Sequence, residues 1–177
     1  MKTTLAHAFG GAVLAMAATG IATFGALAQE STNNVAVKTD WNVFTEASPK
    51  ECWGVSVPKE TVNTRDGKPA QAQRSAIQLF VTYRPGKGGE VSFTGGYPFA
   101  PGSTVSVDVD GAKFELFTDG EWAWTGGAQE DTALLTAMKR GTNAVLSARS
   151  GKGTQTKDTF SLRGFTAAVN EAESRCK

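Results

Sequence analysis

Two cysteines constrain this chain more than any other feature. Cys52 and Cys176 are its only ones, and the second is followed by a single residue, Lys177. Phe165, Ala168, Val169, Ala172 and Cys176 fall at i, i+3, i+4, i+7 and i+11, which is one face of an α-helix. The second cysteine therefore sits on the apolar side of a closing helix and points into the protein. A bond from Cys176 to Cys52 makes that helix a lid tied to an early part of the fold. Closing a loop of this length removes about 5 kcal/mol of unfolded-state entropy in the chain-entropy account. That is comparable with the whole stability of a modest domain.

The N-terminus sets the redox setting for that bond. Lys2 supplies a positive start, Ala8 to Leu27 is apolar and rich in small residues, and Ala26-Leu27-Ala28 is a small-x-small cleavage triplet. Residues 1–28 read as a secretory signal rather than a membrane anchor, because Gly, Ala and Thr dilute the apolar run. No cysteine follows the triplet, which closes the lipoprotein route. Residues 29–177 then make one exported domain, periplasmic or at the cell surface or secreted, with no membrane span once the signal is gone. In an oxidising compartment two cysteines pair, and here one pairing exists. Nothing has the C-x-x-C spacing of a reactive or ligating pair.

Histidine narrows the chemistry further. The single one, His7, lies in the signal, so the exported domain has none. Histidine-based triads, His-ligated zinc and the H-E-x-x-H class are excluded. Any metal site must use oxygen ligands alone, and no metal or cofactor is expected. Without Lys2, seventeen basic residues face seventeen acidic ones. That balance gives no bulk attraction to nucleic acid or an anionic membrane.

From Trp41 the pattern is β-like; Gln29 to Lys38 is polar and reads as a loose leader. Trp53, Val55 and Val57 share one face of a strand whose other face, Cys52, Gly54 and Ser56, is small enough for a covering segment to approach closely. Pro58 to Gln73 reads as an exposed loop or irregular hairpin around Asp66-Gly67. Strands follow over Ala76 to Arg84, with Ile77, Leu79, Val81 and Tyr83 on one face, and over Glu90 to Thr94. Val105, Val107 and Val109 begin a meander through the turns Asp110-Gly111 and Asp119-Gly120 to Trp122-Ala123-Trp124. Asp131 to Arg140 is a short helix ending at Gly141. Ala144 to Arg149 and Thr154 to Leu162 are the last strands. Eight or nine strands and two short helices give a mainly β fold, an antiparallel sandwich or flattened barrel.

Candidate chemistry is sparse. Gly151-Lys152-Gly153-Thr154 lacks the spacing and the following helix of a phosphate loop and reads as a turn. Arg149, Lys152, Lys157 and Arg163 are basic neighbours in sequence that could hold an anion or simply solvate a sheet. Asp108 and Asp110 form a carboxylate pair on one strand face, although Asp110 opens a hairpin where Asp is locally favoured. Asp158 is in phase with Phe160 and Leu162, faces inward and is expected to hydrogen-bond a turn. Tyr83, Tyr97, Phe99, Trp122 and Trp124 could form a platform that stacks on sugars or on a partner, but Trp122 and Trp124 share one strand face and read as core. Tyr97 and Phe99, in the corner Gly95 to Gly102, are the better contact surface, with Lys152 and Arg163 as its charged members.

Several of these stretches together resemble a known family. They are the Trp41 strand, Cys52, Tyr83-Arg84-Pro85, Gly96-Tyr97-Pro98-Phe99, Ala123 to Thr125, Ala137-Met138-Lys139, and above all the run Gly153 to Phe165 with terminal Cys176. In this order they resemble the invasion-associated locus B proteins of bacteria, over essentially the whole exported chain. The resemblance implies a β-rich envelope domain with bonded cysteines, linked in some pathogens to host-cell entry, and brings no catalytic residues with it. The expected function is a non-enzymatic binding protein whose partner is an envelope or host protein or a glycan. The alternative is a carbohydrate-binding module or carboxylate-dependent hydrolase on a β-sandwich.

Overall fold

The computed structural model describes residues 33–177, so the signal read in residues 1–28 lies outside the described residues. In chain order the elements are β1 (Asn34–Lys38), β2 (Trp41–Ala47), β3 (Lys50–Ser56), β4 (Glu60–Arg65), β5 (Lys68–Pro69), β6 (Gln78–Tyr83) and β7 (Glu90–Thr94). They continue with β8 (Thr104–Val109), β9 (Ala112–Asp119), β10 (Trp122–Trp124), α1 (Ala128–Arg140), β11 (Asn143–Arg149), β12 (Gln155–Ser161) and α2 (Phe165–Arg175). All strands join one antiparallel sheet in the order β1-β2-β3-β6-β7-β10-β9-β8-β11-β12-β4-β5. The sheet is sandwich-like. Phe93 of β7 meets Phe160 of β12 edge to face across the interior, with ring centroids 6.1 Å apart.

The sheet has twelve strands where the sequence pattern gave eight or nine. The difference comes from polar segments. The stretch expected as a loose leader contains β1, which pairs with β2 and packs Val35 and Ala36 against the core. The polar stretch after Pro58 folds as the hairpin β4–β5, turning through Asp66 and Gly67 at φ 51° and 72°. The meander β8-β9-β10 forms as read, with Asp110 and Gly111 both left-handed in its first turn.

The lid is the other organising element. Phe165, Ala168, Val169 and Ala172 of α2 are buried against β2 and β3. Burying Phe165 and Val169 alone contributes about 3–6 kcal/mol. The approach depends on the small face of β3. A Cβ on Gly54 would lie 3.8 Å from that of Ala168 and 3.7 Å from the Trp41 ring. Trp41 in turn meets Phe165 edge on and donates its indole N–H to the Ser161 carbonyl at 3.0 Å. Cys52 and Cys176 are bonded with their Cα atoms 5.7 Å apart. The tie expected from helical spacing is therefore present, and both sulfurs are buried. Helix α1 ends at Gly141 by close packing rather than a left-handed turn: its φ is −85°, and a Cβ there would meet Val109 at 2.6 Å.

Candidate binding groove

The four residues expected to form a contact surface do not form one. Tyr97 and Phe99 are core residues, 8% and 6% exposed. Their rings meet edge on, and the Tyr97 hydroxyl shares a 2.5 Å hydrogen bond with Thr156 Oγ1. Burial pushes that phenol above its ordinary pKa. The Pro-rich corner folds inward because its glycines permit close packing. A Cβ on Gly95 would lie 3.0 Å from the Tyr97 ring, and one on Gly96 would lie 2.8 Å from the Ser75 carbonyl oxygen. Lys152 and Arg163 are exposed but stand beyond opposite ends of β12, roughly 25 Å or more apart along an extended strand.

The carboxylates are engaged in holding the fold. Asp158 is fully buried, as its phase implied, but its partner is a side chain rather than a turn. Arg74 donates to it through both terminal nitrogens, at 2.8 and 2.5 Å. The same guanidinium donates to the Gly95 carbonyl at 2.8 Å and lies over the Tyr97 ring. Arg74 was invisible to pattern reading because it belongs to a polar loop without periodicity. Asp108 accepts from Lys113 and from Gly111 N–H at 2.7 Å, which hold its carboxyl below the usual range. Asp110 accepts from Thr142 N–H at 2.6 Å, tying its hairpin to the start of β11. Asp131, near the start of α1, accepts from Val91 N–H and Thr125 Oγ1, both at 2.8 Å. Asp108, with its side chain 34% exposed, and the enclosed Asp158 thus share no site.

What the sheet presents outward is aromatic. In β10 it is Ala123 that points inward, fully buried beside Phe93, so Trp122 and Trp124 lie on the outer face rather than in the core. Register then assembles a strip. Phe44 lies opposite Trp53, and Phe80 follows Ser92, Trp124 and Phe117 along one cross-strand row. The rings touch in sequence: Phe44 with Trp53 at 5.6 Å, Phe80 with Trp122 at 5.7 Å, Trp122 with Trp124 at 6.3 Å, and Trp124 with Phe117 at 5.6 Å. Trp122 is 39% and Phe117 51% exposed, unusual for rings of that size.

Two grooves open along this strip. One, of about 380 Å³, runs between Trp53, Phe80, Trp122 and Trp124. The other, of about 740 Å³, lies between Phe117, the Lys87-Gly88-Gly89 turn and the first turn of α1. Arg84, Glu90 and Trp124 line both. Arg84 bridges Glu51 at 2.6 Å and Glu90 at 3.3 Å, and the Glu51 carboxylate beside it pushes its pKa up. These three side chains remain 32–45% exposed, so they meet a ligand without leaving one another. Ser92, 7% exposed, stands between Phe80 and Trp124 in that cross-strand row and lines the smaller groove. The arrangement offers flat apolar rings beside fixed polar groups, which is the composition of a binding site.

Residues 41–173 match the family described as invasion associated locus B (IalB) protein. No curated protein matches the chain. The crystal structure of invasion associated protein B from Bartonella henselae is similar at a TM-score of 0.53, covering 77% of this chain and 94% of that one. At 15% identity that likeness concerns the architecture alone.

Proposed function

The chain belongs to the invasion associated locus B family, and from that premise we propose that it is an exported, non-enzymatic binding protein of the bacterial envelope. The observation that carries this reading is the aromatic strip with its two communicating grooves on the outer sheet face. Export is supported by the leader read in residues 1–28 and by the bonded cysteines, which belong in an oxidising compartment. Among the described residues no helix is long and apolar enough to cross a membrane. A binding role fits the use of Asp108, Asp110, Asp131 and Asp158, each committed to backbone or cationic partners that hold the fold. Contact with host cells is a narrower form of the same reading, drawn from the description of the Bartonella henselae neighbour as invasion associated.

The test is retention on isolated envelopes. Purified wild-type protein should sediment with them, and Trp122→Ala should weaken that retention about tenfold with its melting temperature unchanged. Equal retention of the two proteins would remove the outer face from the function.

A further inference from the structure

Resting on that reading, we infer that the outer-face grooves bind an uncharged oligosaccharide laid across the strands. Three features select this ligand class. The first is the ring strip itself. The two tryptophans of β10 lie within 24° of parallel, and Phe117 within 30° of Trp124. Such rings present flat π surface of the size of one sugar ring, and the C–H face of a pyranose is the apolar surface that stacks on it.

The second feature is the polar rim. A sugar edge carries hydroxyls that both donate and accept. Beside the rings stand the Glu51 and Glu90 carboxylates, the Arg84 guanidinium between them, and the hydroxyls of Thr82 and Ser92. Ser92 sits between Phe80 and Trp124 in the cross-strand row, which puts a hydroxyl-bearing side chain among the rings where a sugar edge would lie. Over both grooves the charged lining is Glu51, Glu90 and the buried Asp131 against Arg84 and Lys87. It is near neutral in sum, and so gives no reason for a phosphate or polyanion.

The third feature is extent. The strip runs over β2, β3, β6, β7, β10 and β9, six adjacent strands, or about 24 Å at the usual strand spacing. That length suits several linked sugars rather than one. It suits a lipid tail poorly, because the grooves are open and charged at their waist. It suits an added peptide strand poorly as well, because such a strand pairs with a sheet edge and not with a face.

The experiment titrates the disulfide-bonded protein with gluco- and chito-oligosaccharides of two to six units, followed by tryptophan fluorescence and calorimetry. Affinity should rise with length through at least four units. Trp122→Ala should weaken binding of the longest ligand about tenfold, and Ser92→Val severalfold. Lys152→Ala, far from the strip, should leave it unchanged. Trp124→Phe keeps a ring in place and guards against loss of folding; it should retain most of the affinity. No binding of any length at millimolar ligand would overturn the inference, as would affinity independent of length or unchanged in Trp122→Ala. If sugars fail while Trp122→Ala still abolishes envelope retention, the ligand class is wrong and the outer-face reading stands. If retention is also unaffected, both fall.

Discussion

Replacing Asp158 by Asn is the sharpest test of how the interior is held together. Asp158 is fully buried and the Arg74 side chain is 5% exposed, so the pair is out of water. The Asn variant leaves a guanidinium buried without a counter-charge, a change that costs about 3–5 kcal/mol in comparable cases. For a domain of this size each kcal/mol moves the melting temperature by about 2–4 °C, so the transition should fall by roughly 6–20 °C. Arg74→Met should cost a similar amount, because it also strips the Gly95 carbonyl of its donor. The double variant Arg74→Met with Asp158→Asn removes both charges together. Its loss should fall short of the summed single losses by at least about 2 kcal/mol. Urea unfolding with the disulfide intact, followed by tryptophan fluorescence, measures all four corners of the cycle. An Asn variant within 1 kcal/mol of wild type, or strictly additive losses, would refute the reasoning.

Other perturbations give equally plain outcomes. Cys52→Ser with Cys176→Ser should lower stability by up to about 5 kcal/mol, and reductant should then shift the melting of wild type but not of the variant. Gly164→Ala places a Cβ 1.9 Å from the Lys38 carbonyl oxygen at a φ of 86°; it should cost more than about 3 kcal/mol. Gly153→Ala, at φ 83° with nothing nearby, should cost only about 1–2 kcal/mol in the same melts. Burial pushes the Tyr83 hydroxyl up to about 12, with the Glu173 charge adding to the shift, against an ordinary value near 10. The folded state thus favours the neutral phenol. Its contribution is intact below pH 10 and is lost as pH rises toward 12. Tyr83→Phe should move the alkaline unfolding midpoint upward; an identical midpoint would show that Tyr83 is not responsible.

Much of the frame was legible because period and punctuation agreed. The alternation in β6 and β8, the Asp-Gly turns and the spacing in α2 each have one physical reading, and the structure adopts it. The small face of β3 even announced the lid. The aromatic groups were harder. A three-residue strand such as Trp122-Ala123-Trp124 carries no phase of its own; pairing of Ala123 with the inward Phe93 decides which side faces in. The corner at Tyr97 and Phe99 has the composition of a surface turn, yet its glycines let the chain fold back on its own rings. Core and surface were therefore exchanged between the two clusters. Arg74 illustrates a different limit. Its partner Asp158 lies 84 residues away, and no local pattern joins a loop cation to a strand anion at that separation.

The position of the second sulfur has a consequence for biosynthesis. Because the tie joins β3 to the far end of α2 across 124 residues, the clasp cannot fasten on a nascent chain until α2 has been made. A chain stopping at Arg175 would hold every described strand and both helices and still lack the fastening. Termination or trimming before Cys176 therefore leaves α2 held by packing alone, without its covalent tie to β3.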